Sequence, residues 1–158
     1  MATKKKPTDK PHAILNRRAS FDYTLDDELV VGIALTGREV RAARDGRVQL
    51  KGSFVTVRNN ELWLNNASFS LKINTKGVND TTVDTSVRKL LAHRKQIDAL
   101  EAQKQSGMSI VPLKLLTSGR HIKLVIALGK GKKRYDKRET LKRKDQQRDI
   151  ARSLKHFS

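Results

Sequence analysis

The chain has 158 residues, 34 of them Lys or Arg and 16 Asp or Glu, for a formal net charge of +18. No stretch approaches the ~20 consecutive apolar residues of a membrane span, and the lack of cysteine excludes disulfides, a thiol nucleophile and Cys-based zinc sites. Apolar residues make up 37 %, low for a fully globular chain, so the composition describes a folded centre with polar flanks. Lys4, Lys5 and Lys6 have no apolar stretch behind them and do not read as a secretory signal. Residues 1–20 carry +5 and residues 129–158 carry +8, leaving +5 on the 108 residues between. A one-sided excess of this kind suits a polyanion, because each phosphate neutralised by Lys or Arg releases condensed counterions. The expectation is a soluble, cytoplasmic protein with nucleic acid as its partner.

Residues 1–13 read as a disordered basic arm. Phe21, Tyr23 and Leu25 alternate with polar residues, as on a half-buried strand. Asp26-Asp27-Glu28 interrupts that pattern, and Leu29 to Leu35 resumes extended structure, with Gly32 marking a bulge or a close backbone approach. Gly37 to Arg44 reads as a short helix ended by Gly46. Val48–Val57 and Leu62–Ile73 are the next strands, joined at Asn59-Asn60, a pair that tolerates positive φ. Residues 74–84, rich in Asn, Thr, Asp and Gly, read as a loop. Ser86 caps the longest predicted helix, Val87–Ser106, with Gly107 as terminator and Arg88 on its polar side. Ser109–Leu116 and His121–Leu128 are two further strands, turned at Thr117-Ser118-Gly119; Pro112 within the first argues for an edge or a bulge.

This order predicts a mainly β protein with added α: an OB-like closed barrel of five to six strands, a long helix between strands three and four, a short helix, and a basic C-terminal tail disordered when free. A split β/α sandwich uses the same elements. Residues 14–128 form the barrel domain and 129–158 the tail.

Catalytic patterns are weak. Gly129-Lys130-Gly131-Lys132-Lys133 lacks the spacing and the Ser or Thr of a P-loop, and its glycines read as loosening a strand end into the tail. Asp26-Asp27-Glu28 reads as a solvated turn or bulge rather than a nuclease metal site. His93 lies beside Arg94 and Lys95, favouring a surface role, and Glu39 sits beside Arg38 and Arg41, favouring an ion pair. The expectation is no enzyme, no metal and no cofactor.

Several strings are more specific. Asn16-Arg17-Arg18-Ala19, Asp22-Tyr23 and Gly32-Ile33-Ala34-Leu35-Thr36-Gly37-Arg38-Glu39-Val40 resemble the opening of the SsrA-binding proteins, the small protein B family. Arg88-Lys89-Leu90-Leu91-Ala92-His93 resembles that family's helix, and Val111-Pro112-Leu113 and Gly131-Lys132-Lys133-Arg134-Tyr135-Asp136-Lys137-Arg138 complete the match, in order, over roughly residues 14 to 155. The chain departs from the family's pattern at Val30, Ser86 and Ser153.

The resemblance implies an OB-like barrel that binds transfer-messenger RNA at its tRNA-like end and serves trans-translation, the rescue of stalled ribosomes. The body would stand in for an anticodon arm and the tail would fold in the decoding centre and mRNA channel. Asn16, Arg17, Arg18, Arg41, Arg44, Leu91 and Lys123 would carry the folded-RNA surface. Lys130, Lys132, Lys133, Arg134, Tyr135, Asp136, Lys137, Arg138 and Leu154 would carry the ribosome-facing tail, with Ile150, Leu154 and Phe157 as its apolar stripe. Transfer-messenger RNA and small-subunit rRNA are the implied partners, elongation factor Tu enters only indirectly, no membrane is involved, and the protein is a monomer. The rival reading is a basic OB-fold ribosomal or ribosome-assembly protein that holds rRNA constitutively.

Overall fold

The structure, a computed structural model, describes residues 13–156 apart from 76, 77 and 105. The predicted N-terminal arm, save Ala13, and Phe157 lie outside the described residues. In chain order the elements are β1 (Ala13–Leu15), α1 (Arg17–Asp22), β2 (Tyr23–Ile33), α2 (Gly37–Arg44), β3 (Val48–Gln49), β4 (Phe54–Arg58), β5 (Glu61–Asn65), β6 (Ser68–Thr75), β7 (Val78–Asp84), β8 (Arg88–Leu91), α3 (Arg94–Gln103), β9 (Met108–Leu116), β10 (Lys123–Gly131) and α4 (Arg134–His156).

Six strands close a barrel in the order β9-β10-β2-β8-β5-β4, and β4 returns to β9 through the single pair Val55↔Ile110. β1 adds a seventh strand on the β9 edge that also receives β4. The barrel's apolar interior joins Val31 and Ile33 of β2, Leu62 and Leu64 of β5, Leu90 of β8, and Leu124, Ile126 and Leu128 of β10. Their period-2 spacing is what a pleated strand needs to send alternate side chains to one face. β3, β6 and β7 form a separate three-stranded sheet against which α2 packs. Phe69 of β6 is fully buried.

The OB-like barrel of six strands agrees with the expected fold class; several elements do not. Residues 87–106 are not one helix. Val87 is exposed and Arg88–Leu91 is a strand, with Arg88 and Leu90 buried and Leu91 turned outward, because β8 bridges β2 and β5. Helix α3 starts only at Arg94, where the His93 N–H donates to Gln96 Oε1. Ser86 caps nothing; its hydroxyl and its N–H both donate to Asp84 Oδ1. The loop expected over residues 74–84 contains β7, hairpinned onto β6 from Thr75↔Val78 to Phe69↔Asp84.

The two long central strands are each broken. A turn around Gly52 (φ 75°) separates β3 from β4, and Asn66 (φ 62°) separates β5 from β6. Asn59 and Asn60 do form the tight turn with positive φ. Phe21 lies in the last turn of α1 rather than starting a strand, and β2 then runs from Tyr23 through Asp26-Asp27-Glu28. The acidic trio is a bulge: Ala127 faces Glu28 and Gly129 faces Leu25, so β2 carries one extra residue. Pro112 also lies at a bulge, with Leu113 as the extra residue between the pairs Val125↔Lys114 and Ile126↔Pro112. Gly129 does not loosen a strand end; it is buried inside β10, and a Cβ there would lie 2.9 Å from Tyr23 Cβ. The tail expected without order of its own is here the 23-residue α4, which buries none of its side chains.

Candidate nucleic-acid interface

One end of the barrel is defined by a row of register partners. Leu116 faces Lys123, Lys123 faces Gly32, and Gly32 faces Leu91, across four adjacent strands. Leu91 is 54 % exposed although it is leucine in a strand. A Cβ on Gly32 would meet Leu91 Cβ at 3.1 Å, so the glycine is what lets Leu91 lie across β2. This is the close approach expected at Gly32, and there is no bulge there. Val30, half-exposed, continues the apolar strip along β2, and Lys123 supplies the cation beside it.

Arg44 serves this end from behind. Its Nη1 donates to Thr117 O (3.2 Å), and its Nη2 donates to Gly119 O (3.1 Å) and Arg120 O (3.2 Å). Those carbonyls belong to the turn that feeds Lys123 into β10. Arg44 therefore holds the turn in place through its guanidinium.

Helix α2 starts three residues beyond β2, at the same barrel end. Thr36 caps it: the Glu39 N–H donates to Thr36 Oγ1, and the Thr36 N–H donates back to Glu39 Oε2 at 2.7 Å. Glu39 Oε1 lies 2.7 Å from Arg88 Nε, with both side chains buried. Glu39 thus pairs with Arg88, not with the adjacent Arg38 or Arg41. The only acid of α2 is turned inward, and Arg38 and Arg41 are left exposed. With Arg47 and Lys72 they line a cleft of about 470 Å³. Arg47 is held there by donating to Ser70 O (2.9 Å) and to Asp45 Oδ2 (2.9 Å). Two of these four cations, Arg47 and Lys72, escape a sequence reading, because they reach the cleft only through the three-stranded sheet. The i, i+3 spacing of Arg38 and Arg41 is the one signal in the sequence.

The remaining barrel candidates lie elsewhere. Asn16 is 9 % exposed and spans the β9 bulge: its N–H donates to Leu113 O (2.7 Å) and its Nδ2 to Pro112 O (2.8 Å). It fills the gap on the β9 edge between β1 and β4. Arg17 and Arg18 are exposed on α1; Arg18 sits over the Phe21 ring at 5.7 Å and 3.4 Å from Asp22 Oδ2.

Asp22 is the joint between α1 and the tail. Its carbonyl accepts from the Lys132 N–H (2.8 Å), its Oδ1 lies 3.2 Å from Lys137 Nζ, and Lys132 Nζ donates to Ser20 O (3.0 Å). Lys132 and Lys137 are thus engaged at the root of α4, while Lys130, Lys133, Arg134, Asp136 and Arg138 are exposed around it. Tyr135 is 70 % exposed, and Ile150 and Leu154 are exposed along the helix. Eight residue steps of β10 separate Lys123 from Gly131, about 26 Å at ~3.3 Å per residue. The structure therefore divides the candidates between two sites: Leu91, Lys123, Arg41 and Arg44 at one end, and Arg17, Arg18 and the tail root at the other.

Among the described residues no group of three or more His, Asp or Glu is placed to hold a metal ion, and no helix is long and apolar enough to cross a membrane.

A closed β-barrel with cations gathered at one end and a long basic helix at the other is, by class, a nucleic-acid-binding barrel protein. The family model described as SmpB protein matches residues 13–156. An SsrA-binding protein of Enterococcus hirae is 44 % identical over 144 residues, covering 90 % of this chain and 92 % of that one. One of Levilactobacillus brevis is 40 % identical over 157 residues, covering 98 % and 99 %. A solved structure, "tmRNA-SmpB: a journey to the center of the bacterial ribosome", has a TM-score of 0.62 at 33 % identity and covers 83 % of this chain and 95 % of that one. The chain belongs to the SmpB family, the SsrA-binding proteins.

Proposed function

We propose that this chain is a non-catalytic adaptor that binds transfer-messenger RNA and takes it to stalled ribosomes in the cytoplasm. The observation that carries this reading is the separation of two basic surfaces along one rigid barrel strand, β10, which runs from Lys123 to the root of α4. One surface is shaped and partly apolar, with Leu91 flanked by Lys123 and the α2 arginines, as folded RNA requires. The other is the tail, with twelve basic residues from 129 to 158, nine of them on the helix α4, which has no fully buried side chain. Beyond its root, where Lys137 meets Asp22, the helix packs on little of its own; rRNA phosphates supply the partner, and Tyr135 offers a ring for an exposed base. In this division residues 14–128 hold the RNA, residues 129–158 read the empty mRNA channel, and elongation factor Tu is met only through the bound RNA. Arg17, Arg18, Arg41, Leu91 and Lys123 touch RNA, whereas Asn16 and Arg44 position the strands and turn that present them.

The test is to purify the native protein and sequence the RNA that accompanies it. Transfer-messenger RNA is the expected species; a population of ribosomal fragments without it would favour a constitutive rRNA binder instead. Removing residues 140–158, or introducing Tyr135→Ala, should leave RNA binding intact and abolish peptide tagging on stalled ribosomes. Normal tagging by the truncated chain would refute the role given to the tail.

A further inference from the structure

Asp22 is the last residue of α1, a position that α1 itself does not favour. A carboxylate in the last turn sits at the negative end of the helix dipole, and Arg18 four residues before it makes the weaker order of an i, i+4 pair. Two contacts across the chain account for the residue instead. The backbone carbonyl of Asp22 accepts from the Lys132 N–H (2.8 Å), and its Oδ1 lies 3.2 Å from Lys137 Nζ. Arg18 Nε, 3.4 Å from Oδ2, holds the carboxylate by its other oxygen and leaves Oδ1 turned to Lys137.

The two contacts do different things. Residues 132 and 133 lie between the end of β10 and the start of α4, where the chain is free to swivel. The Lys132 contact, with Lys132 Nζ donating to Ser20 O (3.0 Å), fixes only the point from which the helix leaves. Lys137, five residues on and inside α4, supplies a second fixed point, and two points define an axis. Thr140 is half-buried, and every described side chain from Leu141 to His156 is exposed, so α4 is a cantilever held at its root. At ~1.5 Å per residue its 23 residues span about 34 Å, and a swing of about 20° at the root carries the far end about 12 Å.

We infer that Asp22 is a positioning residue for the tail: its carbonyl sets where α4 leaves the barrel, and its carboxylate, through Lys137, sets where α4 points before a ribosome is met. The geometry holds whatever the partner is; the consequence for tagging rests on the adaptor reading. A partly exposed ion pair adds little to stability, so the pair governs the direction of the tail and not the folding of the barrel. A segment aimed in advance loses less freedom on binding, which favours engagement with the ribosome.

The chain has no cysteine, so Lys51→Cys and Arg152→Cys, both at exposed positions, give two unique spin-label sites, one on the body and one on α4. Pulsed dipolar spectroscopy of the full chain should return one narrow distance distribution. Asp22→Asn, which keeps the carbonyl and loses the charge, should broaden it, and Lys137→Gln should do so from the other side. Asp22→Glu should keep it narrow. Asp26→Asn, an equal change of charge at an exposed residue of β2, should leave it as in the parent. In a tagging assay the concentration of Asp22→Asn that half-saturates stalled ribosomes should rise roughly two- to fivefold, the most a partly exposed ion pair supplies. The maximal rate and the affinity for transfer-messenger RNA should stay at the parent's values. A distribution in Asp22→Asn as narrow as the parent's would overturn the inference, as would one already broad in the parent. Broadening with no change in half-saturation would reduce the pair to a structural contact and overturn it equally. A chain that purifies without transfer-messenger RNA, yet broadens on Asp22→Asn, would refute the adaptor reading and uphold the geometry of the latch.

Discussion

Arg88 of β8 and Glu39 of α2, 49 positions apart in sequence, meet inside the protein with Nε and Oε1 2.7 Å apart. The guanidinium also donates to Ala67 O (3.3 Å) and Ser86 O (2.7 Å) and lies 3.9 Å from the centroid of the Phe69 ring. One buried cation thus fastens the barrel, the three-stranded sheet and the helix that carries Arg38 and Arg41. Removing one partner of such a pair leaves the other charged and dry, at about 3–5 kcal/mol. Glu39→Ala should therefore lower the stability measured by urea unfolding by an amount in that range and loosen α2. Arg41→Ala, on the exposed face of the same helix, should leave it within about 0.5 kcal/mol of the parent.

The packing of Leu91 against Gly32 gives a sharper separation of binding from stability. Leu91→Ala removes a half-exposed side chain and should change the melting temperature little. Its loss should weaken transfer-messenger RNA binding roughly tenfold or more, as for a truncated anchor at an interface centre. Gly32→Val leaves Leu91 in place but forces it aside, and should mimic the binding defect in a filter-binding assay. Full binding by both variants would remove this end from the interface.

Salt dependence distinguishes cations that touch phosphate from those that hold the fold. Removing a single cation that neutralises a phosphate should flatten the log–log slope of RNA affinity against salt by about 0.7–0.9. Arg38→Ala combined with Arg41→Ala should flatten the slope by about twice that amount. Arg44→Ala should instead lower the melting temperature, because its guanidinium holds the carbonyls of Thr117, Gly119 and Arg120.

The turn before β8 carries a pH signature. The Ser86 hydroxyl and N–H, with Arg88 adding to them, hold the Asp84 carboxyl below its ordinary value. Ionised Asp84 thus contributes stability that is fully present above the ordinary carboxylate range and is lost as pH falls through the lowered value. Asp84→Asn should be less stable than the parent at pH 6, and the gap should narrow as the pH is taken toward 2 in thermal melts.

Much of the barrel was legible because strands buried on one face announce themselves by alternation, as in Val31-Ile33 and Leu62-Leu64. Pro112 and the acidic trio marked bulges for the same local reason: one lacks a donor, the other resists burial. Residues 87–91 failed because Val87, Leu90 and Leu91 fit a helical stripe as well as a strand, and only pairing to β2 and β5 decides between them. Strand β7 was hidden by its polar composition, which suits a strand with little core behind it. At α2, the sequence showed a short helix with Arg38 and Arg41 but not the inward turn of Glu39. That turn depends on an arginine expected to face solvent. The burial of Asn16 against a bulge 96 positions away was not legible, since such a contact leaves no local trace in the sequence.

The arrangement of β2 and β10 also bears on how the chain is made. Tyr23 pairs with Gly131, and Gly32 with Lys123, so the second strand waits for a partner about a hundred residues behind it. Asn16 likewise has no edge to bridge until Pro112 and Leu113 exist. During synthesis, the β4–β5 and β6–β7 hairpins and α2 are able to assemble early, since their pairings are local. β1 has no partner until β9 has left the exit tunnel, and most of β2 has none until β10 has, since only Gly32 and Ile33 reach the earlier strand β8. Closure by contacts of such long range is intrinsically slow and leaves open strand edges exposed meanwhile. Truncation before Lys123 should therefore yield a chain that aggregates rather than a smaller barrel, and α4, emerging last, is attached to a body that has only just closed.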